Sequence, residues 1–305
     1  MKVNLVLSMR LAQALAGLVA FNVSGNLHIE GAGHVDDSRT IWPIVTSTPP
    51  GGRNVVRFCF TTLEAKAELE HDFLQAIDNW MDALGGPASS RTGHNLVFKE
   101  VRTPEGEDTV CCSEWKLPPA QNPCTWNAEV ENDVLAVYMN PSGKANSATI
   151  GYVSDSDALL NNFPPQRHFV NLKPLNSNIN VLWEWVHELG HVLGLLHEHG
   201  RIDRDNHVIF RCRNLLDFQS CFAAAKKDRD EQDTGDTDAE IEKKLCEQWT
   251  FANRYGFSAR SFMKGTGSQP HVDPASWGAY DRDSIMHYSS LISSYKPEFG
   301  GRSAD

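Results

Sequence analysis

Four histidines and two glutamates fall within thirteen residues of the stretch "WVHELGHVLGLLHEHGRIDRDNHV", Trp185 to Val208. His187 and His191 are four residues apart. On a helix that spacing puts two imidazoles on one face, a turn apart, where they can share one metal ion. Gly194 comes three residues later, and a glycine there can take the positive φ that ends a helix and reverses the chain. The reversal would swing His197 back as a third nitrogen donor. Three imidazoles with one position left open form a catalytic zinc arrangement, whereas a structural site is closed by a fourth protein ligand. Glu188 adjoins the first histidine and points toward the open position, where it can take a proton from water. By chance, H-E-x-x-H arises about 0.03 times in such a chain, and with the glycine and third histidine on the order of 10⁻⁴ times. A helix whose histidines merely face solvent is therefore a poor reading.

These side chains need a scaffold, and the flanking pattern supplies its parts. Val55–Phe60, "VVRFCF", reads as a strand from its β-branched and aromatic content. Thr62–Leu84 carries Leu69, Phe73, Ile77, Trp80 and Met81 at the spacing of one helical face and stops at Gly85-Gly86-Pro87. Asn95–Val101, Asp133–Met139, Ala148–Val153 and the short Arg167–Leu172 are further strands, separated by turn-rich loops. A second helix starts near Asn180 and turns Val181, Leu182, Trp185, Leu189 and Val192 inward. Strands around two long helices predict a sheet with helices packed on it. Beyond Gly194 the pattern breaks into loops and short helices. The charge-dense run Lys226–Lys244 lacks the spacing of a calcium loop and reads as a solvated insertion.

Composition narrows the function classes. The 305 residues are 41% hydrophobic and 22% charged, the balance of a globular chain long enough to bury a sizeable core. A formal charge of −11 argues against nucleic-acid partners, which need a basic surface. No apolar run reaches the roughly 20 residues of a membrane span. Lys2 and Arg10 precede the apolar run Leu11–Val23 and small residues at Ser24 and Gly25, the layout of a secretory signal over residues 1–25. Residues 26–38 then read as a short leader or propeptide. The seven cysteines are Cys59, Cys111, Cys112, Cys124, Cys212, Cys221 and Cys246, and none forms a C-x-x-C pair. Local bridges from Cys111 or Cys112 to Cys124, and from Cys212 to Cys221, suit an oxidising compartment, and the odd number leaves at least one thiol over.

The extended pattern H-E-x-x-H-x-x-G-x-x-H is that of the metzincin metallopeptidases. "HELGHVLGLLHEHGRIDRDNHV" resembles the astacin family more closely, through the Glu after the third histidine and the H-x-R-x-D-R-D run. "YDRDSIMHYSS", Tyr280 to Ser290, resembles that family's methionine turn, and "RTIWP", Arg39 to Pro43, its mature start. The order of these elements matches from about residue 39 to 290.

The resemblance implies an α+β fold: an N-terminal mixed sheet with two long helices, the zinc helix at a cleft, and an irregular C-terminal subdomain, all within residues 39–305. It implies one zinc ion on His187, His191 and His197, Glu188 as general base, and Met286 as an apolar floor beneath the metal. Tyr288 would be a displaceable zinc ligand that then hydrogen-bonds the tetrahedral intermediate. Glu198 matches a glutamate in buried contact with the mature N-terminal amine. His199, Arg201, Asp203, Arg204 and Asp205 would fix the turn below the site, and the strand at Gly151 would align an extended polypeptide substrate. No cysteine stands at Gly93-His94-Asn95 or near the last residues, where the family has them, so the bridges differ. The expectation is a secreted zinc endopeptidase that cleaves polypeptides. Two alternatives stay open: a metzincin of another family, which would lack the Tyr two residues after the methionine, and a zinc-bearing interaction protein that has lost catalysis.

Overall fold

The computed structural model describes residues 32–35, 41–45, 52–115, 124–140, 145–155, 158, 166–175, 182–232, 234–265, 274–277 and 279–288. The expected signal segment, most of the leader, Arg39, Thr40 and the start of the second helix near Asn180 lie outside them. Strand β1 (Ala32–Val35), inside the expected leader, pairs antiparallel with β10 (Pro274–Trp277).

The main sheet is six-stranded and mixed, as expected for an α+β chain. Its centre is β3 (Arg53–Phe60), which pairs in parallel with β4 (Leu96–Glu100) and with β7 (Leu135–Met139). Strand β9 (Phe169–Leu172) continues the parallel set beside β7. The antiparallel β8 (Ser147–Ala148) forms one edge on β9, and β2 (Ile44–Val45) pairs antiparallel with the start of β3. Alternation along β3 and β7 decides what each face meets. Phe58, Phe60, Leu135 and Val137 point into the principal core, whereas Cys59 and Ala136 point into a smaller cluster behind the sheet.

Helix α1 (Leu63–Ala83) begins where the Thr62 hydroxyl accepts from the Ala65 N–H, which satisfies one of the free amides of the first turn. Its buried side chains Leu69, Phe73, Ala76, Ile77 and Trp80 form the apolar face that the spacing predicted. Phe73 packs edge-on against Phe58 and Phe60, with ring centroids 5.2 and 5.9 Å away. Helix α2 (Leu182–Val192) lies on the same core through Leu182, Trp185, Val186, Leu189 and Val192. Two indoles tie it down from outside: Trp80 Nε1 donates to the Val186 carbonyl and Trp42 Nε1 to the Val192 carbonyl, each at 2.8 Å.

Three sequence expectations are corrected here. The strand read over Ala148–Val153 ends at Ala148. Beyond it, Gly151 takes φ 62° and its N–H turns to the His191 carbonyl at 2.9 Å, while the Val153 N–H donates to His168 Nε2 at 2.7 Å. The backbone donors thus go to α2 and to a side chain instead of continuing a ladder. The bridge read between Cys212 and Cys221 is instead Cys212–Cys246, with Cα atoms 5.8 Å apart, and Cys221 is the buried free thiol. The other two bridges are Cys59–Cys111 and Cys112–Cys124. The second of these closes a hairpin of β5 (Cys112–Trp115) and β6 (Cys124–Trp126), where the sequence pattern shows only a turn-rich loop.

The third correction concerns Lys226–Lys244, which is solvated but helical. It spans the end of α3 (Phe218–Gln232) and most of α4 (Asp238–Glu247), and α5 (Trp249–Arg254) follows. Thr237 and Glu240 form a reciprocal capping box at the start of α4. Phe218, Ala225, Ile241, Leu245, Ala252 and Phe257 bury a second core. A few apolar residues at helical spacing are enough to seat the two helices, however charged their outer faces. Among the described residues no helix is long and apolar enough to cross a membrane.

Candidate metal centre

Helix α2 ends in a way that builds half of the site. Gly194 has φ 94°, its N–H donates to the His191 carbonyl at 2.8 Å, and the Leu195 N–H reaches back to the Gly190 carbonyl at 2.9 Å. This pair of bonds is a Schellman closure, which needs the left-handed residue that glycine provides. The closure carries the Leu195 carbonyl over the last helical turn, where His191 Nδ1 donates to it at 2.8 Å. His187 Nδ1 donates to the Ile285 carbonyl, also at 2.8 Å. A carbonyl can only accept, so both Nδ1 atoms carry the hydrogen and both Nε2 atoms present bare lone pairs.

Those lone pairs face a third ring. His197 Nε2 lies 3.1 Å from His187 Nε2 and 3.1 Å from His191 Nε2. A proton on His197 could serve one neighbour and not the other, leaving a lone pair facing nitrogen in a buried place. One cation satisfies all three. Nitrogens about 2.0–2.1 Å from a tetrahedral zinc stand about 3.3 Å apart, close to the observed spacing. The donor set therefore fits a metal ion, and these three are the metal-competent His/Cys/Asp/Glu group among the described residues. Burial lowers the pKa of all three: His191 to about 3, with His187 adding to the effect, and His197 well below the usual histidine value. Neutral rings are the form that binds metal.

Met286, which is 1% exposed, packs against α2 at Gly190. A Cβ placed on Gly190 would stand 2.5 Å from Met286 Sδ, so the glycine in H-E-L-G-H is what lets the methionine turn close on the helix. The Glu198 N–H donates to the Met286 carbonyl at 3.0 Å, and this holds the third-ligand segment to the same turn.

Glu188 is buried beside His187, and its Oε2 has no hydrogen-bond partner among the described residues. Burial, with the charge of Glu184 adding, pushes its carboxyl up to about 8. Leaving a buried carboxyl oxygen without a partner is costly in a purely structural setting. Tyr288 is half-buried, with its ring 4.4 Å from that of His197 and 6.1 Å from that of His187. Burial, and then repulsion from Glu188, raises its phenol to about 12.

The run after His197 packs as a brace. Glu198 is fully buried, pairs with Arg201 at 3.1 Å and accepts from the Asp281 N–H at 2.9 Å. Arg201 also holds Asp203 with two parallel bonds of 2.9 and 2.8 Å. Arg204 donates to the carbonyls of His199 and Phe262. These contacts pin the turn that follows the third histidine. His287 and Tyr280 were not singled out from sequence, yet the Tyr280 hydroxyl and His287 Nε2 are 2.7 Å apart beside Tyr288. The only available signal was the histidine between Met286 and Tyr288.

Comparison with known proteins gives three results. Residues 175–240 match the family model of astacin, peptidase family M12A. Among solved structures, the chain aligns with high choriolytic enzyme 1, a hatching-enzyme zinc protease of the medaka fish Oryzias latipes. That alignment has 16% identity and a TM-score of 0.42, over 88% of this chain and 82% of the other. Myroilysin aligns at 16% identity and a TM-score of 0.36, over 87% and 86% of the two chains. A search of curated proteins finds no significant relative. The matched segment begins seven residues before α2 and takes in the glycine closure and the third histidine, so this part of the chain is similar to the astacin peptidases.

Proposed function

We propose that the chain is a secreted endopeptidase whose one zinc ion is held by His187, His191 and His197, with Tyr288 as a further, displaceable ligand. Zinc at such a site lowers the pKa of water toward about 7 and polarises the scissile carbonyl. Glu188 takes the proton released as water attacks that carbonyl, then passes it to the leaving amine. A carboxyl up at about 8 holds its proton at neutral pH. A divalent cation beside it favours the carboxylate, and Glu188 then becomes a base. The Tyr288 hydroxyl donates to the developing oxyanion, a type of contact that usually carries much of the rate enhancement. The elevated phenol pKa keeps that donor protonated.

The carrying observation is the mutual approach of three Nε2 atoms, two of them bare because their Nδ1 hydrogens go to carbonyls. The unpaired Glu188 oxygen supports an active enzyme over a lapsed one, which has no use for a costly buried base. Three disulfides fit an oxidising compartment, and with the N-terminal pattern they support a signal segment over 1–25, a leader over 26–38 and a catalytic domain over 39–305. The substrate is an extended polypeptide laid along the edge strand β8, Ser147–Ala148. Casein hydrolysis with and without a chelator tests the reading. Glu188→Gln should retain zinc and lose at least about 10³-fold in kcat. Hydrolysis at the native rate in that variant would exclude Glu188 as the base.

A further inference from the structure

Tyr288 lies outside any helix or strand, so its ring is held only by what grips its backbone and what packs on it. Two histidines grip its peptide groups. The Tyr288 N–H donates to His199 Nδ1 at 3.3 Å, and His287 Nδ1 donates to the Tyr288 carbonyl at 2.8 Å. Each imidazole is set in its role by its other nitrogen. His199 Nε2 is 2.9 Å from the Ser261 carbonyl, so it carries the hydrogen and leaves Nδ1 as an acceptor. His287 Nδ1 faces a carbonyl and carries the hydrogen, so its Nε2 accepts from the Tyr280 hydroxyl at 2.7 Å. With both nitrogens engaged, His199 is not a further metal ligand. Its ring nevertheless packs on the third ligand and on the tyrosine together, with centroids 4.9 Å from His197 and 4.3 Å from Tyr288.

We propose that His199 is a positioning residue that acts through Tyr288. By holding the Tyr288 backbone N–H, with His287 on the carbonyl, it keeps the phenol where the hydroxyl meets the substrate oxyanion. The inference rests on the role given to Tyr288 above. A misplacement of about 1 Å can cost a hundredfold in rate, so the contact matters for turnover more than for substrate affinity.

The test compares steady-state kinetics, zinc affinity by chelator competition, and thermal unfolding for four variants. His199→Phe keeps the ring packing and removes both nitrogens, and His199→Gln puts an acceptor and a donor back on one planar group. Tyr288→Phe and the double variant His199→Phe/Tyr288→Phe complete the cycle. Expected for His199→Phe is a kcat lowered about tenfold or more, with KM within about twofold and zinc affinity within about threefold of wild type. His199→Gln should recover most of kcat, and the double variant should be no slower than Tyr288→Phe alone. Should the phenylalanine variant not fold, His199→Met, without ring nitrogens, is held to the same outcomes. Tyr288→Phe is measured first, because a wild-type kcat there contradicts the oxyanion role itself and His199 with it. A slow Tyr288→Phe beside an unimpaired His199→Phe overturns only the positioning role. So does a His199→Phe loss that multiplies with that of Tyr288→Phe, or one accompanied by zinc binding weaker than that of Tyr288→Phe, which would place the effect at His197.

Discussion

His187 and His191 each commit one ring nitrogen to a backbone carbonyl and leave the other bare toward His197. The same logic of one nitrogen fixing the other recurs at His168, away from the metal. His168 is buried between Trp42 and Tyr152 and accepts from the Val153 N–H. Burial, with Arg167 adding, takes it down to about 3 from an ordinary value of 6.5. Between those values the unfolded chain binds the extra proton and the folded chain does not. The stabilising contribution is therefore complete above pH 6.5 and is lost as pH falls toward 3. At about 1.4 kcal/mol per pH unit, wild type should lose roughly 2–3 kcal/mol more than His168→Gln between pH 7 and 4.5, measured by urea unfolding of the zinc-free proteins. Equal losses in the two proteins would show that His168 does not titrate in this way.

Helix α2 is the element on which the site is assembled, and Gly190 is where its packing is tightest. Replacing Gly190 with alanine puts a methyl 2.5 Å from Met286 Sδ and 3.3 Å from the Trp80 ring. Overpacking of this kind costs about 1–3 kcal/mol, while alanine's better helix propensity returns up to about 1 kcal/mol. A net loss of about 1–2 kcal/mol is expected for Gly190→Ala in thermal unfolding. Zinc affinity should also fall, because Ile285, next to the displaced Met286, holds the His187 ring. Adding Met286→Ala should relieve part of the stability loss, a coupling that independent sites would not show. Much of this helix was legible in the sequence. The spacing of His187, His191, Gly194 and His197 encodes the helix, its end and the return of the chain, all set by local geometry. Leu69 through Trp80 announced α1 in the same way. What stayed hidden depends on contacts distant in sequence: the Trp42 and Trp80 indoles on α2 carbonyls, and the Tyr280–His287–Tyr288 chain beside the site.

Among the described residues two larger cores stand beside the small cluster behind the sheet, one between the main sheet and α1 and α2, the other inside the C-terminal helices. The disulfide Cys212–Cys246 staples the second, across 34 residues. Cysteine spacing pointed instead to Cys212 and Cys221, the nearer pair, because sequence distance says nothing of which faces two helices present to each other. Helix formation in Lys226–Lys244 was obscured for a similar reason: Ala225, Ile241 and Leu245 are few, and they matter only once α3 and α4 pack together. A closed loop of that length constrains the unfolded chain by about 3–4 kcal/mol. The double variant Cys212→Ser/Cys246→Ser should therefore lose hydrogen-exchange protection in α3 and α4 while protection in α1 and the main sheet is largely kept. A uniform loss across both cores would mean that they unfold as one unit.

The central claim is that three imidazoles converge on one ion that hydrolysis requires. Its most direct measurement is zinc bound per chain after dialysis, beside casein hydrolysis, for wild type and for His187→Ala, His191→Ala and His197→Ala. One zinc per wild-type chain is expected, with zinc and activity lost together in each variant and restored to the stripped wild type by added zinc. A metal-stripped chain that still hydrolyses casein, or a His197→Ala chain that keeps its zinc at native affinity, would contradict it.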